Sequence, residues 1–172
     1  TIPEGWTRFE IAERIANNFP VEPSISKLEV LRLMNDVSLI QDFDPQAKNL
    51  EGYLYPTTYE FAIGSSAEEI IEKMVNQFKS VWEPGWTQRA RELGRTPQEI
   101  VTIASLIENE SKFDTERKRV ASVIYNRLDR GMALGIDATN VYIAKMLGRW
   151  DGILHKSDLE IDHPYNTRKV MG

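Results

Sequence analysis

The chain has 172 residues, of which 41% are hydrophobic and 27% charged, the balance of an ordinary globular domain. Its net charge of −5 argues against a nucleic-acid partner, which demands a basic patch, and the absence of cysteine excludes disulfides and thiol catalysis. No apolar run approaches the ~18 residues of a membrane span, and the N-terminus lacks the basic, apolar and small-residue regions of a signal peptide, so residues 1–172 read as one soluble domain.

Thr7 to Asn18 reads as a first helix, with Phe9, Ala12, Ile15, Ala16 and Phe19 on one side and Pro20 and Pro23 closing it. Ser26 to Met34 reads as a second, followed by a loop rich in Asp and Pro. Leu50 to Phe61 is aromatic without a helical period, which predicts an extended, strand-like segment. Ser66 opens a long helix through Phe78 and Val81. Trp82-Glu83-Pro84-Gly85 breaks it, and a short helix runs on to Leu93 and Gly94. A helix opening at Thr96 comes next, then one capped by Asp114 or Thr115 that ends at Arg130 with Gly131 as its stop. Asp137 to Met146 and Ser157 to Glu160 read as shorter helices. The fold class expected is α+β, predominantly helical, with a small extended or β region.

The Thr96 helix carries the chemistry. Thr96-Pro97-Gln98-Glu99 is a capping box with proline at the first helical position. Ile100, Ile103, Ala104 and Ile107 make one apolar face, and Ser111 continues its middle. Glu110 and Glu108 flank that face on opposite sides, Glu110 beside Ile103 and Leu106, Glu108 beside Val101. Periodicity does not choose between them, and both also fit the solvated end of an amphipathic helix. A carboxyl at the end of a greasy helix is desolvated, which raises its proton affinity toward the working pH of a general acid. Sugar-cleaving enzymes need such an acid at the glycosidic oxygen.

Other chemistries find little support. Arg117-Lys118-Arg119 sits with Asp114 and Glu116 and reads as a solvated face. His155 and His163 are too few and too far apart for a metal site, and no metal is expected. There is no Gly-rich phosphate loop and no Gly-x-Ser-x-Gly elbow.

From Leu50 onward the chain resembles the catalytic domain of the MltG/YceG-like endolytic murein transglycosylases. The resemblance rests on Leu50-Glu51-Gly52-Tyr53-Leu54-Tyr55-Pro56-Thr57-Thr58-Tyr59, Ala104 to Ser111, and Val120 to Leu128. It extends through Gly131 to Leu134, Asp137, Thr139 and Tyr142, and through Pro164-Tyr165-Asn166-Thr167. Thr1 to Thr7 resembles the family's lead-in to this domain. The order and spacing of these segments are more specific than any one of them. The resemblance implies a YceG-like catalytic domain with a lysozyme-like acid-bearing helix, and it makes the second glutamate, Glu110, the catalytic acid. The chain departs from the family at Thr57, Gly135 and Ala138, where members often carry Asp, Gln and Pro, so groove detail is less constrained than reaction class. The family usually continues past the position of Gly172, and its full-length members carry a membrane anchor and a LysM-like region ahead of this domain. The sequence is therefore read as a catalytic fragment.

The resemblance also implies substrate-binding roles. Glu51 either reaches a groove beside Glu110 or solvates a loop. Tyr53 and Tyr55 either stack on sugar faces or fill core. Asn126 either bonds an N-acetyl group or pins backbone. Asp137 contacts substrate or caps the following helix. Tyr165, Asn166 and Thr167 shape a groove lip, and Ser111 orients Glu110. The implied reaction is lytic cleavage between N-acetylmuramic acid and N-acetylglucosamine within peptidoglycan strands, leaving a 1,6-anhydro end. It needs one carboxyl where a hydrolase generally needs two, and no cofactor. The implied setting is the bacterial cell envelope at the outer face of the cytoplasmic membrane. The implied partners are peptidoglycan and cell-wall synthases, and membrane contact comes only through the anchor. Three alternatives stand beside this reading: a peptidoglycan-binding module without activity, a hydrolytic muramidase, and a pyridoxal-phosphate-dependent aminodeoxychorismate lyase. The last needs a Schiff-base lysine and a phosphate cup, and no motif for either is present.

Overall fold

Capping chemistry fixes where the helices begin. In the computed structural model, which describes residues 1–171, eight helices appear: α1 Arg8–Asn18, α2 Lys27–Leu33, α3 Ala67–Val81, α4 Pro84–Glu92, α5 Pro97–Glu110, α6 Asp114–Asp129, α7 Asp137–Met146 and α8 Lys156–Leu159. Ser26, Ser66 and Thr96 each precede a glutamate three residues on, and each pair bonds reciprocally. At α5 the Thr96 N–H donates to Glu99 Oε2 at 2.8 Å and the Glu99 N–H to Thr96 Oγ1 at 3.2 Å, satisfying two amides the helix cannot. Every helix foreseen in the sequence is present, and the chain is predominantly helical as expected.

The strand-like reading of residues 50–61 does not hold. An isolated antiparallel bridge between Ala133 and Met171 is the one β pairing among the described residues. The segment's amides are used singly: Tyr53 N–H turns back to Leu50 O at 3.1 Å, and Tyr55 N–H reaches Met74 O at 3.4 Å. Gly52 sits at φ +85° and Pro56 has no N–H, so the backbone reverses before a ladder can form.

The chain groups into two compact units, Thr1–Val101 and Thr102–Gly172. In the first, α1 packs on α2. Ile11, Ala12 and Ile15 of α1, Val30 of α2, and Ile70, Ile71, Met74, Val75 and Phe78 of α3 form its core with Met34, Ile40, Leu50, Tyr53 and Leu54. The α3 residues recur at three- and four-residue steps, one helical face burying into one core. In the second unit α7 packs on α8. Its core is smaller: Ile103, Ile124, Leu134 and Ile136, edged by Leu106, Ile107, Val120, Tyr125, Leu128 and Ala138.

Candidate active site at the end of the acid-bearing helix

The buried stripe of α5 differs from the one drawn from periodicity. Ile103 is its one fully buried side chain, Leu106 and Ile107 are half-buried, and Ala104 is exposed. The stripe therefore runs through 103, 106 and 107, and the next position on that heptad step is Glu110. Glu110 is the helix's last residue and is exposed, so the burial expected around it is absent. Among the described residues no hydrogen bond or ion pair engages its carboxylate.

Glu108 is in a different state. Its Oε2 lies 2.9 Å from an Arg117 guanidinium nitrogen, and the same nitrogen lies 3.3 Å from Asp114 Oδ1. The two glutamates that the helical period could not separate are thus distinguished by partners. Ser111 was expected to orient Glu110. Its N–H closes the helix on Ile107 O at 2.9 Å, but its hydroxyl is buried without any hydrogen-bond partner. Asn126 is exposed on α6, with a long 3.4 Å contact from its amide to Ser122 Oγ.

Its neighbour Arg127, not singled out in the sequence, holds the following loop. Its guanidinium donates to Leu134 O, and a Cβ added at Gly135 would stand 3.5 Å from it. Thr167 ties the same loop to the chain's last segment. Its hydroxyl accepts from Ile136 N–H at 2.9 Å and lies 3.0 Å from Thr139 Oγ1, while its carbonyl takes the Gly135 N–H at 2.7 Å. Asp137 occupies the first turn of α7 behind Ile136, the capping residue, and its carboxylate pairs with Arg168, whose Nε is 3.0 Å away.

Two residues expected to contact substrate are internal props. Asn166 is fully buried. Its amide donates to Leu159 O at 3.0 Å and Ile161 O at 2.7 Å, and its Oδ1 accepts from Arg168 N–H at 3.1 Å. Both amide hydrogens are spent on backbone, and at 0% exposure no atom of the side chain reaches a sugar. Tyr53 of the first unit is also fully buried, its ring against Phe43 and Phe78 and its hydroxyl donating to Asp44 Oδ2 at 2.6 Å. Burial and that neighbouring carboxylate push its phenol well above its ordinary value. Tyr55 is half-buried at the edge of the same core, and its carbonyl accepts the Tyr59 hydroxyl at 2.6 Å. Glu51 is half-buried with both carboxylate oxygens on the Arg8 N–H, at 3.1 and 3.2 Å, at the positive end of α1.

Tyr165 is the one candidate aromatic that stays open, with 49% of its surface exposed. Its ring meets His163 at 5.0 Å and Tyr142 at 6.0 Å, and its N–H donates to His163 Nδ1 at 3.0 Å. The buried Asn166 beside it fixes the loop that presents it. A buried polar cluster lies outside every motif of the sequence. Asn140 on α7 donates to Asp158 O at 3.0 Å, and the Asp158 carboxylate lies 3.2 Å from Arg149. Asn140 and Asp158 have helical neighbours and no motif, so only their low exposure reveals them. Among the described residues no three His, Cys, Asp or Glu side chains converge as a metal site, and no helix is long and apolar enough to cross a membrane.

The chain matches the YceG-like family over residues 1–172. It is similar to the endolytic murein transglycosylase of Bacillus subtilis (strain 168), 36% identical over 187 residues that take in all of this chain and 50% of that protein. It is 30% identical over 191 residues to the protein of the same name from Streptococcus pneumoniae serotype 2 (strain D39), covering all of this chain and 34% of that protein. A crystal structure of a YceG-like protein from Listeria monocytogenes superimposes with a TM-score of 0.81 and 36% identity, over 99% of this chain and 59% of that one. The chain thus spans about a third to a half of the length of the curated relatives it matches. With a family match over its full length and a fold shared at that identity, the chain belongs to the YceG-like family.

Proposed function

We propose that the chain is the catalytic portion of an endolytic lytic transglycosylase of peptidoglycan, with Glu110 as its single acid and base. The observation that carries this is the contrast at the end of α5: Glu108 is held by Arg117, and Glu110 is exposed with an unengaged carboxylate. A group that exchanges a proton with substrate must present its carboxylate to that substrate, and the Glu108 oxygen that could do so is occupied by Arg117. The exposed position leaves desolvation to the substrate. A strand laid over the end of α5 displaces water there, and a carboxyl out of water holds its proton.

In the proposed reaction Glu110 donates its proton to the oxygen joining N-acetylmuramic acid to N-acetylglucosamine. The C1–O bond breaks, and the departing sugar leaves with a free hydroxyl. The Glu110 carboxylate then takes the proton of the muramoyl C6 hydroxyl as that oxygen bonds to C1. A 1,6-anhydro ring closes, Glu110 is again protonated, and no water is consumed. Tyr165 and Asn126, both exposed in the second unit, contact the sugars. The relatives' names support the substrate, and the envelope as the site of action follows from that substrate.

The test is mass spectrometry of fragments released from purified sacculi. Anhydro ends one water lighter than hydrolytic ends are expected, and hydrolytic ends would identify a muramidase instead. Glu110→Gln keeps shape and removes the transferable proton, so activity falls by about 100-fold or more. Glu108→Gln retains much more activity. A dead Glu108→Gln beside an active Glu110→Gln would reverse the assignment, and release of no fragments by the unaltered chain would favour a binding module.

A further inference from the structure

We propose that Arg117 is a positioning residue for the reaction assigned to Glu110 and acts through Glu108. The inference rests on that assignment. In the last turn of α5 stand two glutamates and no basic side chain, at the end of a helix whose dipole disfavours negative charge. Of the carbonyls of that turn, Ile107 O takes the Ser111 N–H, and those beyond it have no helical donor, so this is where the helix unwinds most readily. Glu110 is the final residue of that turn, and no side chain holds it.

Arg117 supplies the missing cation from the neighbouring helix. One guanidinium nitrogen sits 2.9 Å from Glu108 and 3.3 Å from Asp114. Only Ser111, Lys112 and Phe113 separate α5 from α6, so the bridge closes this short turn on itself. It ties the last turn of one helix to the first turn of the next. Glu110 projects from the backbone that Glu108 anchors. Lys118 and Arg119 belong to the same basic run and have no acidic partner among the described residues. One cation of three is thus selected by geometry.

Arg117 and Glu108 are 46% and 38% exposed, and pairs so open to water add little to folding. The bridge therefore matters more for where Glu110 stands than for whether the unit folds. Misplacing a catalytic group by about an ångström can cost up to 100-fold in rate. Loosening without loss of the helix is expected to cost about tenfold.

The experiment measures kcat and KM of the whole chain on soluble glycan strands, together with the melting temperature. Arg117→Met and Glu108→Gln should each lower kcat about tenfold, leave KM within about twofold, and leave the melting temperature nearly unmoved. The double variant should be no worse than either single, because both break one bridge. Arg117→Lys should restore part of the rate as a point charge without the planar fork, and Lys118→Gln should match the unaltered chain. Full kcat in Arg117→Met, multiplied losses in the double, or a rate loss that follows a fall in melting temperature would each overturn the proposal. Glu108→Gln removes the charge of the same bridge from the α5 side and keeps the test decisive should Arg117→Met fail to fold. Glu110→Gln separates the two claims. If it is inactive while Arg117→Met is normal, only the positioning role fails. If it is fully active, the assignment of Glu110 fails and the positioning role falls with it.

Discussion

Tyr53→Phe separates a structural tyrosine from a substrate-binding one. The substitution keeps the ring, which packs edge-on against Phe43 at 6.1 Å and Phe78 at 5.1 Å. It deletes the hydroxyl 2.6 Å from Asp44 Oδ2. Asp44 is 2% exposed, so water does not replace the lost donor, and only the Gln46 N–H at 3.1 Å on Oδ1 remains. A hydrogen bond to a charged group contributes about 1.5–3 kcal/mol, and a buried acceptor left unpaired lies toward the upper end. At about 2–4 °C per kcal/mol for a chain of this size, a loss of about 2–3 kcal/mol should lower the melting temperature by about 4–12 °C. Thermal unfolding followed by tryptophan fluorescence suits the measurement, because the Trp82 ring meets Phe43 edge-on at 5.0 Å and reports on this core. Catalytic constants of the remaining folded protein should be unchanged. Unaltered stability with a raised KM would refute the reasoning and return Tyr53 to the substrate.

Two further outcomes test other parts of the molecule. Gly52→Ala places a Cβ 2.7 Å from Val101 Cγ1 at φ +85°, so backbone strain and overpacking together should cost about 2–4 kcal/mol in denaturant titration. Adding Val101→Ala should recover part of that loss, and strict additivity of the two would refute the clash. The exposed His155–Asp151 pair, at 2.9 Å, raises the imidazole above its ordinary 6.5 and lowers the carboxyl below its ordinary 3.8. Its contribution to folding is therefore full between those ordinary values, fades as pH rises through the raised His155 midpoint, and fades as pH falls through the lowered Asp151 midpoint. In an NMR titration Asp151→Asn should bring the His155 midpoint down, and an unmoved midpoint would refute the pairing.

The helical layout was legible because its determinants are local. Ser26, Ser66 and Thr96 announce helix starts through a glutamate three residues away, and the apolar step of α3 matches one buried face. The 50–61 segment was not legible as a loop. Its aromatic residues are common in strands, but a strand exists only if another backbone pairs with it, and that is a tertiary fact. Tyr53 shows the same limit at one side chain. An aromatic beside a motif glutamate looks like a sugar contact until Asp44, nine residues earlier, is seen to take its hydroxyl.

The candidate acid site was legible in part for a related reason. A helical wheel uses angle alone, and angle left Glu108 and Glu110 equivalent. What separates them is Arg117, which stands seven residues beyond Glu110 across a turn, in a run of three basic residues that reads as solvent-facing. Partner choice among Arg117, Lys118 and Arg119 depends on the turn's geometry, which no periodicity encodes. The same holds for Asn166. Its neighbours Tyr165 and Thr167 make the segment look like a groove lip, yet its amide is spent on two carbonyls and its oxygen on an amide. A motif marks a segment as important without dividing its residues between holding and contacting. Burial and hydrogen-bond satisfaction make that division, and they place Asn166 among the residues that hold while leaving Glu110 and Tyr165 exposed.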